Sequence, residues 1–168
     1  NLAILIAGIF AIIVGVGVAR FAFTSLIPSM LDNRLDITFA GILASLNFAG
    51  YLSGSILSVF IKDMNQKVLL FRIGLVLAVL TTFVLGFSTN DTYWIIARII
   101  GGFAGAMGLV VGSAIVMTKL QMESKTIAMG IHFSGIGFSI LVTDLIHRYI
   151  LSIGGTWETS WQVLSIFG

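Results

Sequence analysis

The chain has 168 residues, of which 58% are hydrophobic and only 10% charged, and its mean hydropathy is +1.09. A soluble domain carries about 25% charged residues, so the composition excludes that class and leaves a bundle of membrane-spanning helices. The net charge of +2 comes from scattered Lys and Arg with no aromatic-basic stripe, which excludes a nucleic-acid partner, and the absence of cysteine removes disulfides, thiol catalysis and cysteine-ligated metals.

Crossing a hydrocarbon core of about 30 Å takes roughly 20 helical residues. The first run of that length is Leu2 to Ile27, in which Arg20 follows eighteen residues, Leu2 to Ala19, that have no charged or polar side chain. An arginine near a bilayer centre costs on the order of 2.5–3.5 kcal/mol on insertion scales, so Arg20 is expected to face a protein interior or a watery cavity. A secretory signal peptide is the competing reading of this run, but it lacks a basic n-region and a cleavage site, and it is too long.

The second run, Ile37 to Ile61, places Asn47, Gly50, Tyr51, Gly54 and Ser58 on one helical stripe, which predicts a face turned to protein or water. In the third, Val68 to Phe87, Arg72 lies close enough to the start for its side chain to snorkel. The fourth, Tyr93 to Met117, aligns Arg98, Gly101, Gly105, Gly108 and Gly112, with small-xxx-small pairs that let backbones approach closely. The fifth, Ile127 to about Ile150, carries Gly130, Ser134, Gly137 and Asp144 on one face and His132, Gly135, Ser139 and Thr143 on nearly the opposite one. Two non-lipid faces predict a helix buried in the bundle. A sixth helix begins about Ser160, and the nine residues from there to Gly168 are too few to span, so the chain is expected to break off within it.

Polar links between the runs supply the topology. Lys62, Lys67, Lys119 and Lys125 lie on one side against Arg34 and Arg148 on the other, and the positive-inside rule makes the lysine side cytoplasmic. Asn1 is then inside, Asp32, Arg34, Asp36 and Asp91 are outside, and Tyr93 and Trp94 mark the outer interface.

Glycine stripes in membrane helices serve packing, and Asn47 and His132 suit either an interhelical hydrogen bond or a cavity. Arg20, Arg98 and Asp144 suit either a structural ion pair or a functional site. By depth along the helices, Asp144 is expected to pair with Arg98, with Arg20 as the alternative. Ser134, with His132 and His147 near it in sequence, raises the rival class of an intramembrane hydrolase. His132 lies two residues from Ser134 and so points elsewhere on a helix, and no catalytic residue, cofactor or metal site is assigned.

The run Gly17-Val18-Ala19-Arg20-Phe21-Ala22-Phe23-Thr24-Ser25-Leu26-Ile27-Pro28 resembles the Gly-x-Gly-Arg-Phe-Ala-Tyr-Thr-x-Leu-Leu-Pro signature of the YbfB/YjiJ-like branch of the major facilitator superfamily. Ala44 to Gly54 is similar to the second helix of that branch, Arg98-Ile99-Ile100-Gly101-Gly102 to the Arg-x-x-x-Gly pattern of the fourth, and Gly135-Ile136-Gly137 to the glycine-rich fifth. Ala19 and Phe23 stand where the signature has glycine and tyrosine, and Ser58 stands at the aspartate position of the cytoplasmic loop pattern.

The resemblance implies an all-α membrane protein, five complete transmembrane helices and the start of a sixth, forming the amino-terminal half of a twelve-helix secondary transporter in a bacterial inner membrane. Such a half works by alternating access with a carboxy-terminal partner half around a midplane site. On that reading Arg20, Thr24, Asn47 and Tyr51 contribute to the cavity for a small organic solute. A fixed guanidinium in a low dielectric favours an anionic group on it. Arg98 and Asp144 are the candidates for proton coupling, because a carboxylate near a charge can exchange a proton.

Overall fold

The computed structural model describes residues 2–31, 34–120 and 125–168, and the regular structure among them is helical. Six helices follow one another: α1 (Leu2–Leu31), α2 (Ile37–Phe60), α3 (Met64–Phe87), α4 (Asp91–Lys119), α5 (Lys125–Ser152) and α6 (Trp157–Phe167). The first five are long and apolar enough to cross a membrane. Asn1 and Asp32, both assigned a side of the bilayer above, lie outside the described residues, as does the side chain of Lys125.

Caps set the starts that the hydropathy pattern placed differently. Asp63 accepts a hydrogen bond from the Gln66 N–H, Asn90 from that of Thr92 and Thr156 from that of Thr159, so α3, α4 and α6 begin in residues read from sequence as links. A side-chain oxygen at the cap satisfies a donor that the first turn cannot, which makes polar residues good helix openers. At the other end of α1 the helix continues through Pro28 to Leu31, although proline removes the N–H that would bond to the Thr24 carbonyl.

The centre of the bundle is α1 against α4. These two bury 56% and 61% of their most apolar stretch, while α2, α3 and α5 bury only 22–28% and leave the remainder as an apolar outer surface. Glycines make the close approaches possible: a Cβ on Gly15 of α1 would stand 3.2 Å from Gly108 Cα of α4. Between α2 and α4 there is less room still, because a Cβ on Gly50 would meet the Ile99 backbone and one on Gly102 the Asn47 backbone. The two predicted stripes therefore face protein, with Asn47, Gly50 and Gly54 buried on α2 and Arg98, Gly101, Gly105, Gly108 and Gly112 on α4.

Both central helices are interrupted by π-helical turns, Ile13–Phe21 in α1 and Met107–Val111 in α4, and the Ala22 N–H bonds to Gly17 O across the wider turn. Such insertions re-aim side chains and often accompany functional sites. The first of them delivers Arg20.

Two expectations change. Trp94 is fully buried rather than interfacial: its indole N–H donates to Ser88 O at 2.6 Å, and its ring meets Trp157 edge-on at 5.7 Å. Only Tyr93 is exposed there. On α5 one face is buried, with His132, Gly135, Ser139 and Thr143 against the bundle, while Gly130, Ser134 and Gly137 are exposed and Asp144 is half-buried. α5 is thus a peripheral helix of this bundle, because none of its described neighbours covers the second small-residue face.

Candidate functional site

α1, α2 and α4 converge on a pocket of about 40 Å³ whose lining includes Arg20, Thr24, Asn47, Phe48 and Arg98. Three of the four residues expected to hold solute are in this lining, and Tyr51, the fourth, stands one helical turn beyond Asn47 with its ring centroid 4.3 Å from the Arg20 guanidinium. The sequence stripe explains the grouping: residues four apart on α1 (Arg20, Thr24) and on α2 (Asn47, Tyr51) share a face.

Arg98 is a clamp. It is 3% exposed, and its Nε donates to Leu43 O at 3.4 Å on α2 while Nη1 donates to Ala19 O at 3.3 Å on α1. The guanidinium lies 4.2 Å from the Phe23 ring centroid, and the Arg98 carbonyl accepts from Asn47 Nδ2 at 2.9 Å. One residue thereby ties three helices together.

Arg20 is bound very differently. Aromatic faces surround it, with Tyr51 at 4.3 Å, Phe48 at 4.6 Å and Phe21 at 5.3 Å, yet it has neither a hydrogen bond nor an ion pair with any described residue. Its buried Nε has no partner, and neither does the buried Oδ1 of Asn47 in the same pocket. Aromatic faces hold a cation without satisfying its donors, since the attraction is to the ring quadrupole.

The expected partnership of Asp144 with Arg98 or Arg20 is not formed. Asp144 Oδ2 accepts from Arg148 Nε at 2.6 Å one turn along α5, and backbone carbonyls take the donors of Arg98 instead. Depth along a helix fixes height but not direction around the axis, and the (i, i+4) neighbour on the same helix was nearer. The other ion pair, Arg34 with Asp91, sits at the end of the bundle where α3 meets α4, and Arg34 also donates to Thr89 O at 2.7 Å. Among the described residues, neither Arg20 nor Arg98 has a counter-ion.

His132 makes the interhelical hydrogen bond, 2.9 Å from Nε2 to Ser113 Oγ on α4, and lies outside the pocket. Ser134 is exposed and donates to Ile131 O, so it forms no serine–histidine pair with His132. His147 joins α5 to α6 and α1, with Nδ1 2.8 Å from Ser160 Oγ and Nε2 3.2 Å from Ser29 Oγ, a junction that sequence reading passed over. Phe48 was missed too. Its only signal was its place beside Asn47 and one turn before Leu52, where it reads as a lipid-facing residue, and it is indeed more than half exposed while also walling Arg20.

Residues 12–168 match the family model described as "Uncharacterised MFS-type transporter YbfB". No curated protein and no solved structure matches the chain.

Proposed function

The chain belongs to this YbfB-type family of major facilitator transporters, and from that premise we propose that it forms the amino-terminal half of a secondary active transporter that moves a small anionic organic solute by alternating access. The family transports and does not catalyse, which sets the intramembrane hydrolase aside. The observation that carries the solute class is Arg20: a guanidinium with a buried, unpartnered Nε, beside the equally unneutralised Arg98. Keeping such a charge in a bilayer costs on the order of 2.5–3.5 kcal/mol on insertion scales, and a solute anion offsets that cost only while it is bound. Thr24 shares the pocket with this guanidinium, the Tyr51 ring lies 4.3 Å from it, and the planar fork of arginine suits a carboxylate bidentately.

Alternating access then requires a second half packed on the exposed surfaces of this one. The uncovered Gly130, Ser134 and Gly137 face of α5 suits such a contact, because small residues allow close approach in lipid. In this reading the protein is multi-pass in a bacterial inner membrane, with its amino terminus in the cytoplasm.

The test uses the full-length protein in proteoliposomes with a panel of labelled organic anions. Arg20→Ala is expected to abolish uptake of the accepted anion, and Arg20→Lys is expected not to restore it, because an ammonium lacks the fork. Wild-type uptake by Arg20→Ala would return the residue to a structural role. Coupling to protons is proposed to run through Asp144, half-buried on the uncovered side of α5, with Arg98 fixing the positive field of the pocket. Asp144→Asn should then transport without dependence on the proton gradient, and an unchanged dependence on external pH would remove Asp144 from that role.

A further inference from the structure

We propose that the solute held at Arg20 carries a hydrogen-bond donor, a hydroxyl, on the carbon next to its carboxylate, and that Asn47 Oδ1 reads that donor. The inference rests on the anion site proposed above and names its substrate class.

The orientation of the Asn47 amide is fixed by chemistry. Its nitrogen faces the Arg98 carbonyl at 2.9 Å, and a flipped amide would set oxygen against oxygen, so Oδ1 is the end left without a partner. Asn47 is 1% exposed, its backbone is wedged against Gly102, and its side chain lines the pocket with Arg20. Two residues of one small pocket are therefore left with complementary demands. Arg20 Nε requires an acceptor and Asn47 Oδ1 requires a donor.

Size narrows the ligand further. A water molecule needs about 10–15 Å³ of such space, so a pocket of about 40 Å³ takes a group of a few heavy atoms, the size of a head group. The remainder of the molecule must leave past Thr24 and Phe48, the exposed members of the lining. A carboxylate with a hydroxyl on the adjacent carbon offers acceptor and donor within one such head group. A plain carboxylate satisfies Arg20 and leaves Oδ1 buried and bare, and buried polar groups left unpaired are what give hydrogen-bonding sites their discrimination.

The experiment compares matched pairs on the full-length protein reconstituted in proteoliposomes: glycolate against acetate, and lactate against propionate, each as a competitor and as a labelled substrate. The 2-hydroxy member is expected to bind roughly tenfold tighter or more, and Asn47→Leu is expected to bring that ratio close to one while Arg20→Ala weakens both members. Equal affinity within every pair, with binding still lost in Arg20→Ala, overturns the donor inference and leaves the anion site standing. That is the result expected if a water molecule bridges the two atoms. Failure of every carboxylate to bind, with Arg20→Ala indistinguishable from wild type, overturns the anion site and this inference with it. Should Asn47→Leu fail to fold, the wild-type ratio decides by itself.

Discussion

Two arginines placed alike by sequence are held in opposite ways. Arg98 has donors on two backbone carbonyls and its charge over Phe23, whereas Arg20 touches only ring faces. Stability should separate them. Arg98→Met keeps the bulk but strips Ala19 O and Leu43 O of a donor, and a buried group left unpaired costs about 1–3 kcal/mol, so thermal unfolding in detergent should occur at a lower temperature. Arg20→Met removes a charge that no described residue pairs and should leave stability unchanged or raise it. Equal losses in the two variants would make Arg20 a structural residue. At this scale the sequence was legible as far as composition of the site: Arg20, Thr24, Asn47 and Tyr51 do gather, because turn spacing within α1 and α2 is a local property. Partners were not legible. Arg98 chose backbone carbonyls that carry no sequence signal, and Asp144 chose its own helix.

Among the helices, the contact between α2 and α4 decides whether the pocket exists, because Asn47 and Arg98 face each other across it. The contact is as close as backbone allows at Gly50 and Gly102. Gly50→Ala forces its methyl into the Ile99 backbone, which cannot yield as a flexible side chain would, and overpacking of this kind costs about 1–3 kcal/mol. Gly41→Ala on the same helix meets nothing within 4 Å and is the control, with stability expected within about 0.5 kcal/mol of wild type. Parallel losses in both variants, measured by thermal unfolding, would show that helix flexibility and not the α2–α4 contact sets the effect. The glycine stripes that define this contact were readable at helical spacing, and so were the apolar runs. The π-helical turns were not, since the apolar runs pass through Ile13–Phe21 and Met107–Val111 with no signal that marks a wider turn. The second small-residue face of α5 reads from sequence as covered, and no described neighbour covers it.

For the whole molecule, the two ends of the bundle differ in charge in a way that predicts an orientation. Arg34 from the link after α1 pairs with Asp91 at the start of α4 and donates to Thr89 O, so the two links lie together at one end as alternating spans require. At the other end Lys62 and Lys119 are exposed, between α2 and α3 and at the close of α4. Cytoplasmic loops carry the excess of lysine and arginine, and the links have Lys62, Lys67, Lys119 and Lys125 on one side against Arg34 and Arg148 on the other. The lysine end is therefore expected to face the cytoplasm and the Arg34–Asp91 end the outside. Cysteines at Asn65 and Thr89 test this in intact cells, because both positions are exposed and at opposite ends, and replacing Thr89 leaves the Asn90 cap of α4 in place. Since the chain has no cysteine of its own, each variant carries a single target within these 168 residues. A membrane-impermeant maleimide should label Thr89→Cys and spare Asn65→Cys until the cells are permeabilised. Labelling of Asn65→Cys alone would invert the bundle, and the pocket formed by Arg20 and Asn47 would then have to be filled from the opposite face of the membrane.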